Sequence, residues 1–138
     1  MKKHGILQPT LAQVVASLGH GDLLVVADAG LPIPPDILRI DLAYAPGRPP
    51  FLDVLKTLLA EMEVERAILA EEAKQHTPQG FYLSLSQELL RLPKVAARGV
   101  EYKPHEALKA QLREARAVVR TGEFTPYANV VLVAGVVF

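Results

Sequence analysis

Two side chains that can transfer protons lie on either side of one short apolar run. The stretch "LGHGDLLVVADAG" places His20 before this run and Asp28 after it. A histidine changes charge near neutral pH and suits general acid/base catalysis, while a carboxylate can accept hydrogen bonds from substrate hydroxyls. Each residue also has a structural explanation, because a histidine stabilises the carboxyl end of a helix and an aspartate caps a turn. The two residues alone leave both explanations open.

Further polar residues with possible binding roles come late in the chain. His105 follows Pro104 in the first turn of a predicted helix, where the positive end of the helix dipole disfavours imidazolium and predicts a neutral ring. Tyr127 and Asn129 frame the stretch "YAN", and together offer a hydroxyl on an apolar ring, a donor and an acceptor. That combination suits sugar recognition. The alternatives are a surface histidine and an ordinary turn containing a half-buried tyrosine.

Composition excludes several classes of function. The chain has 15 basic and 15 acidic residues, which gives no basic surface to indicate nucleic-acid binding. It has no cysteine, and its four histidines lack the spacing of a zinc site. The longest apolar run, residues 130–138, is far shorter than the roughly twenty residues of a membrane span, and no signal-peptide pattern is present, so we expect a soluble protein.

The pattern of apolar residues predicts strands that alternate with helices. Continuous apolar runs of strand length are typical of strands covered on both faces. We therefore expect one α/β domain over residues 1–138, with a largely parallel central sheet flanked by helices in a Rossmann-like layering. The last strand is expected to reach Phe138, which would make truncation costly. The predicted strands lie in "DLLVVAD", "LRIDLAYA", "VERAILAEE", "GVEYK", "RAVVRTGE" and "VVLVAGVVF". The predicted helices lie in "LAQVVASL" (N-capped by Thr10), "PPFLDVLKTLLAEM", "FYLSLSQELLRL" and "PHEALKAQLREA".

The predicted strand limits how His20 and Asp28 can cooperate. A strand advances about 3.3 Å per residue, so a straight run over residues 23–27 separates its flanking ends by roughly 15–20 Å. One active site can use both side chains only if "GHGD" folds back, or if a neighbouring subunit supplies one of them.

Four short motifs carry a family resemblance. "LGHGD", "DAGLPIP", "AEE" and "TPYAN" together resemble the ribose pyranase and fucose mutarotase family, and the resemblance runs over essentially the whole chain. Within that family, "DAGLPIP" and "PYAN" look like the ribose branch. The resemblance implies an isomerase that interconverts the pyranose and furanose forms of D-ribose and so supplies ribofuranose for phosphorylation. It also implies no cofactor, a cytoplasmic location, and a homo-oligomer of pentameric rings stacked as a decamer, with active sites near subunit contacts.

The same resemblance implies a role for each motif residue. His20 matches the proton donor of the family, and Asp28 matches a substrate-binding carboxylate. His105 matches a substrate-binding histidine, in a less conspicuous motif. The triplet of Tyr127, Ala128 and Asn129 matches the sugar-binding segment, in which Ala128 would act through its backbone.

Other functions compete with this expectation. The chain could prefer another sugar, as an L-fucose mutarotase, or could be a sugar-binding module without catalysis that is coupled to a transporter or kinase. A purely structural ring protein is a third class. Five polar residues argue against that class, because an inert surface does not need so many: His20, Asp28, His105, Tyr127 and Asn129.

Overall fold

One six-stranded sheet forms the centre of the molecule in the computed structural model, which describes residues 1–138. The strands are β1 (Leu23–Ala27), β2 (Arg39–Asp41), β3 (Val64–Ala70), β4 (Glu101–Lys103), β5 (Ala115–Arg120) and β6 (Val130–Ala134). The helices are α1 (Pro9–Ser17), α2 (Phe51–Leu59), α3 (Ala73–His76), α4 (Gln79–Leu90), α5 (Pro93–Arg98) and α6 (His105–Gln111), with a 3₁₀ turn at Leu112–Glu114. None of these helices combines the length and apolar character needed to cross a bilayer.

The sheet is parallel except for its last strand. Its order is β2-β5-β1-β6-β3-β4; β1 and β2 both pair with β5 in parallel, and β3 pairs with β4 in parallel. The strand β6 runs antiparallel to both of its neighbours, β1 and β3. It can do so because the chain returns from β5 through a short loop, without the helical crossover that a parallel strand requires. The predicted α/β fold with a largely parallel sheet is therefore confirmed.

Helices cover both faces of the sheet, which explains why its inner strands are apolar throughout. Along β1, Leu24 and Val26 belong to one buried cluster, and Val25 and Ala27 belong to the other. All five residues of β1 and all five of β6 are buried. Alternating side chains thus enter opposite cores, and neither face of these strands tolerates polar residues.

A charged pair and a tyrosine pair fix the edge strand β4. Arg66 donates from Nε to Oε2 of Glu101 at 2.8 Å and from Nη2 to Oε1 at 3.1 Å. This hydrogen bond raises the pKa of the guanidinium and lowers the pKa of the carboxyl. The hydroxyls of Tyr82 and Tyr102 are 2.5 Å apart, and burial together with this contact raises the pKa of Tyr102. The segment that leads directly into α6 is therefore held in place.

Several predicted boundaries differ from those of the structure. The helix α1 begins at Pro9, and its cap is Gln8, whose side chain accepts from the Leu11 amide at 2.6 Å, whereas Thr10 was the predicted cap. The strand predicted over residues 38–45 ends at Asp41, because the Asp41 carboxylate accepts from the Ala43 amide and turns the chain. The short helices α3 and α5 were not predicted, since they span too few residues to show a period.

The expectation that the last strand reaches Phe138 is wrong. The strand β6 ends at Ala134, and the side chains of Val137 and Phe138 are exposed. Its neighbours start at Leu23 and Val64, which pair with Val133 and Ala134. One further backbone bond follows, from the Gly135 amide to the Glu63 carbonyl at 3.0 Å, and the ladder ends there. Burial therefore makes the strand up to Ala134 important for stability, and the exposed tail lies outside this core.

We predict that Leu132→Ala destabilises the fold by about 2–5 kcal/mol, because the fully buried side chain leaves a cavity. Denaturant unfolding of the variant and the parent chain measures this difference. The matched control is Leu83→Ala on the outer face of α4, where about half the side chain is exposed and we expect a change within about 0.5 kcal/mol. Equal losses in the two variants would contradict this account of the core.

Candidate functional site

A reciprocal pair of hydrogen bonds joins Asp28 to Asn129. The amide N–H of Asp28 donates to Oδ1 of Asn129, and Nδ2 of Asn129 donates to Oδ2 of Asp28, both at 2.9 Å. Asp28 follows β1 and Asn129 precedes β6, so the antiparallel pairing of these strands places the two residues side by side. The other carboxylate oxygen accepts from the Gly30 amide at 2.9 Å. Asp28 therefore caps its turn, as one explanation predicted, and also presents a fixed carboxylate at the sheet edge.

The turn before Asn129 holds Tyr127 in an uncommon backbone conformation. Tyr127 has a φ of 59°, and it is the one non-glycine residue in the left-handed region. Its carbonyl accepts from the Asn129 amide at 2.9 Å, and the Thr77 hydroxyl donates to the Pro126 carbonyl at 2.8 Å. The Ala128 amide already donates to a carbonyl within the turn, so a backbone contact from Ala128 to a ligand would come from its carbonyl. Strain of this kind is typical of functional sites.

His105 lies against the ring of Tyr127. The two ring centroids are 5.1 Å apart with an interplanar angle of 89°, an edge-to-face contact. His105 is the first residue of α6, and its backbone N–H donates to both carboxylate oxygens of Glu72, at 2.9 and 3.2 Å. Its ring nitrogen Nδ1 is buried without a partner. A buried polar atom that lacks a partner in the free protein is available to a bound ligand.

Glu72 is a site-building residue to which the sequence analysis gave no role. It follows β3 in the motif "AEE", and its carboxylate links the end of that strand to the start of α6. The only signal in the sequence is an acidic residue just after a buried strand, where sites of α/β proteins lie. A second neighbour of the site is His76, whose ring centroid is 5.8 Å from that of Tyr127.

Asp28, His105 and Tyr127 line an open cleft of about 350 Å³, a size that suits a small molecule. The Asp28 carboxylate, His105 and the Tyr127 hydroxyl offer both donors and acceptors to a polyhydroxylated ligand. An adjoining cleft of about 430 Å³ is also lined by Asp28 and contains Arg120, which is held by Asp41 at 3.1 Å. No group of three or more histidine, aspartate or glutamate side chains is arranged to hold a metal ion. The residues that line the first cleft are Asp28, Gly30, Leu31, Pro32, His105, Pro126 and Tyr127.

His20 lies at the opposite end of β1 from this cleft. It follows α1 in a turn, its side chain is 63% exposed, and Nε2 is 2.9 Å from Oε2 of Glu65. The segment "GHGD" forms a turn in which the Asp22 amide donates to the Gly19 carbonyl at 3.1 Å, and the Gly21 amide joins this turn to Ala134, at the far end of β6 from Asn129. The structure therefore brings Asp28, His105, Tyr127 and Asn129 together within one chain and leaves His20 apart from them.

We predict that Asn129→Ala lowers the free energy of unfolding by about 1–3 kcal/mol, because Asp28 loses both of its hydrogen bonds to this buried side chain. Denaturant unfolding measures this loss. The control is Gln75→Ala, which removes an exposed amide on α3 and should change stability by no more than about 0.5 kcal/mol. Unchanged stability of Asn129→Ala would show that the Asp28–Asn129 pair does not organise this edge.

Comparison with known proteins identifies relatives over the full chain. The RbsD / FucU transport protein family matches residues 1–137. A protein of Chloroflexus aggregans named D-ribose pyranase is 52% identical over 138 residues, which cover all of both chains.

Solved structures share the fold. The structure of Bacillus subtilis RbsD complexed with D-ribose superposes with a TM-score of 0.88 at 48% identity, over the whole of both chains. The fucose mutarotase of Streptococcus pneumoniae, solved in complex with L-fucose, gives a TM-score of 0.79 at 24% identity, covering 99% of this chain and 100% of that one. The second likeness shows a common fold alone. The match over residues 1–137 and the identity of about half the residues show that this chain belongs to the RbsD / FucU transport protein family.

Proposed function

We propose that this chain is a D-ribose pyranase, an isomerase that interconverts the pyranose and furanose forms of D-ribose and supplies ribofuranose for phosphorylation. The observation that carries the proposal is the cleft of Asp28, His105 and Tyr127, in a chain 52% identical to a D-ribose pyranase. The likeness to Bacillus subtilis RbsD, which was solved with D-ribose, supports the same substrate. Residues 1–138 would act as one sugar-mutarotase domain.

The proposed chemistry is ring opening followed by closure through a different hydroxyl. Opening delivers a proton to the ring oxygen while the anomeric hydroxyl gives one up to solvent water, and the C–O bond of the ring breaks to leave an aldehyde. After rotation, another hydroxyl attacks the aldehyde carbon, its proton passes back to the proton donor, and the aldehyde oxygen takes a proton from water. His20 is the proposed proton donor, and such general acid/base assistance is worth about 10²–10⁴-fold. The scheme itself requires neither a metal nor a cofactor.

The remaining motif residues would bind the sugar. The Asp28 carboxylate accepts hydrogen bonds from hydroxyls, and the Tyr127 hydroxyl and the free Nδ1 of His105 can each bond another. The side-chain amide of Asn129 holds Asp28. Its second Nδ2 hydrogen and the second lone pair of Oδ1 remain to bond the sugar. Ala128 would contribute its backbone. The edge-to-face contact between His105 and Tyr127 keeps both rings in place while the sugar exchanges.

We further propose that active sites combine residues of two chains. The support is the separation of His20 from the cleft, together with the exposure of its side chain, which leaves the imidazole accessible to a neighbouring copy. An assembly of pentameric rings stacked as a homodecamer, in the cytoplasm, would bring His20 of one subunit to the cleft of the next. The proposal includes no binding to nucleic acid or to a membrane.

We predict that the chain accelerates pyranose–furanose exchange of D-ribose, and that His20→Ala slows the accelerated exchange by about 10²–10⁴-fold while ribose still binds. Saturation-transfer NMR measures both exchange and binding. The control is His4→Ala, which removes an exposed histidine that lies outside the four family motifs. Near-normal exchange in His20→Ala would refute the role of proton donor.

The same experiment separates the competing functions. Ribose binding without accelerated exchange by the parent chain would indicate a sugar-binding module, as the transport name of the family also allows. Faster exchange of L-fucose anomers than of ribose ring forms would indicate a fucose mutarotase. Either result would overturn the assignment of ribose pyranase activity.

The shared site predicts complementation between inactive variants. His20→Ala and Asp28→Ala each lack one half of the proposed site, so subunit exchange should create some sites in which both residues are intact. We expect exchange activity to reappear when the two variants are mixed after mild dissociation, and to stay absent when each is treated alone. No recovery, with mixed oligomers demonstrated by mass spectrometry, would contradict sharing between subunits.

A further inference from the structure

We infer that Glu65 is the positioning residue of His20, and that Nδ1 of His20 is the nitrogen that exchanges its proton with the sugar. The inference rests on the proposed function for the role of His20. Its structural part stands on the 2.9 Å contact between Nε2 of His20 and Oε2 of Glu65.

The contact with Glu65 is the one polar side-chain contact of the His20 imidazole, and 63% of the His20 side chain is exposed. An exposed side chain samples several rotamers, and fixing one of them before reaction removes an entropic cost from catalysis. The Glu65 side chain is only 22% exposed, so it is the better ordered member of the pair. The carboxylate therefore supplies the orientation that the turn around His20 does not.

The backbone brings these two residues together across β6. The Gly21 amide donates to the Ala134 carbonyl at 2.8 Å, and the Ala134 amide donates to the Asp22 carbonyl at 2.8 Å. The turn that carries His20 is thus attached to the end of β6, and the next strand beyond β6 is β3, which carries Glu65.

A register shift aims the Glu65 side chain. Val64 pairs with Ala134 and Arg66 pairs with Val133, so Glu65 is the extra residue of a bulge. Bulges occur beside active sites, where they redirect a side chain. The neighbouring Gly135 permits this close approach, because a Cβ atom there would lie 3.1 Å from the Cβ of Glu65. The local backbone is therefore shaped around this carboxylate.

Nearby carboxylates have other partners. Glu63 lies 3.3 Å from Nζ of Lys94, and Asp22 accepts from the Gly19 amide at 2.8 Å. Glu65 is the one carboxylate that contacts the imidazole.

The contact determines which nitrogen is free for chemistry. An ionised carboxylate can only accept, so Nε2 carries a hydrogen and donates it to Glu65. The acid step starts from the imidazolium, which carries a hydrogen on each nitrogen. The Nδ1–H bond breaks and the ring oxygen gains the proton, while the Nε2–H bond to Glu65 persists in the neutral imidazole that remains. The proton released when the second hydroxyl closes the ring returns to Nδ1. Glu65 stays ionised throughout, in the manner of an orienting carboxylate behind a catalytic histidine.

The experiment compares Glu65→Ala, Glu65→Gln and the matched control Glu63→Gln, at the residue just before the same strand. Saturation-transfer NMR gives the exchange rate and ribose affinity of each variant. We expect Glu65→Ala to slow exchange by roughly tenfold to hundredfold with affinity unchanged, since this is part of the total value of acid/base assistance. Glu65→Gln should recover part of the rate, because its amide oxygen still accepts from Nε2. Glu63→Gln should match the parent chain.

A second measurement, free of sugar, reports the tautomer directly. Nitrogen NMR at alkaline pH, where an imidazole is neutral and carries one hydrogen, should show that hydrogen on Nε2 of His20 in the parent chain and in Glu65→Gln, and a mixture of tautomers in Glu65→Ala. An unchanged ring spectrum and unchanged exchange in Glu65→Ala would overturn the inference. If His20→Ala keeps its exchange activity, the proton-donor role fails instead, and the tautomer measurement still decides whether Glu65 positions the ring.

Discussion

The antiparallel insertion of β6 between β1 and β3 is the constraint on which the rest of the structure depends. At its start, β6 holds Asn129 against Asp28 at 2.9 Å. At its end, Ala134 anchors the turn of His20, and the register shift opposite it aims Glu65. One buried strand therefore organises polar groups at both edges of the sheet.

The same insertion fixes the distance between those edges. A fully buried, hydrogen-bonded strand cannot bend to bring His20 towards the cleft without breaking bonds in two ladders. A chain of this design gains a rigid cleft but separates its proposed acid from its sugar-binding groups. Assembly with a second copy is a way to reunite them without deforming either edge.

Order in the cleft comes from contacts between segments that are far apart in the sequence. Glu72 fixes the start of α6, Asn129 fixes Asp28, and the strained turn at Tyr127 presents its ring to His105. The free Nδ1 of His105 is the exception within this ordered set. A buried nitrogen without a partner, held among ordered side chains, is well prepared for a polar ligand.

The amino-acid sequence alone was sufficient for the fold class and for the family. Apolar runs such as Leu23–Ala27 and Val130–Ala134 signal strands covered on both faces, because burial on two sides leaves no polar positions. The roles of His20, Asp28, His105, Tyr127, Ala128 and Asn129 came from motif resemblance, and they stay predictions. Short elements such as β2 and α5 were misjudged or missed, because a few residues carry too little periodicity.

What the sequence by itself determined is which residues are buried and which types of polar residue flank the strands, since burial follows from local patterns. Only the tertiary structure decided which residues are the hydrogen-bond partners of these polar side chains. Asp28 with Asn129, His105 with Glu72 and His20 with Glu65 are separated by 101, 33 and 45 residues along the chain. Such pairs depend on strand order and register, which are set by the packing of the whole sheet and leave no trace in local spacing.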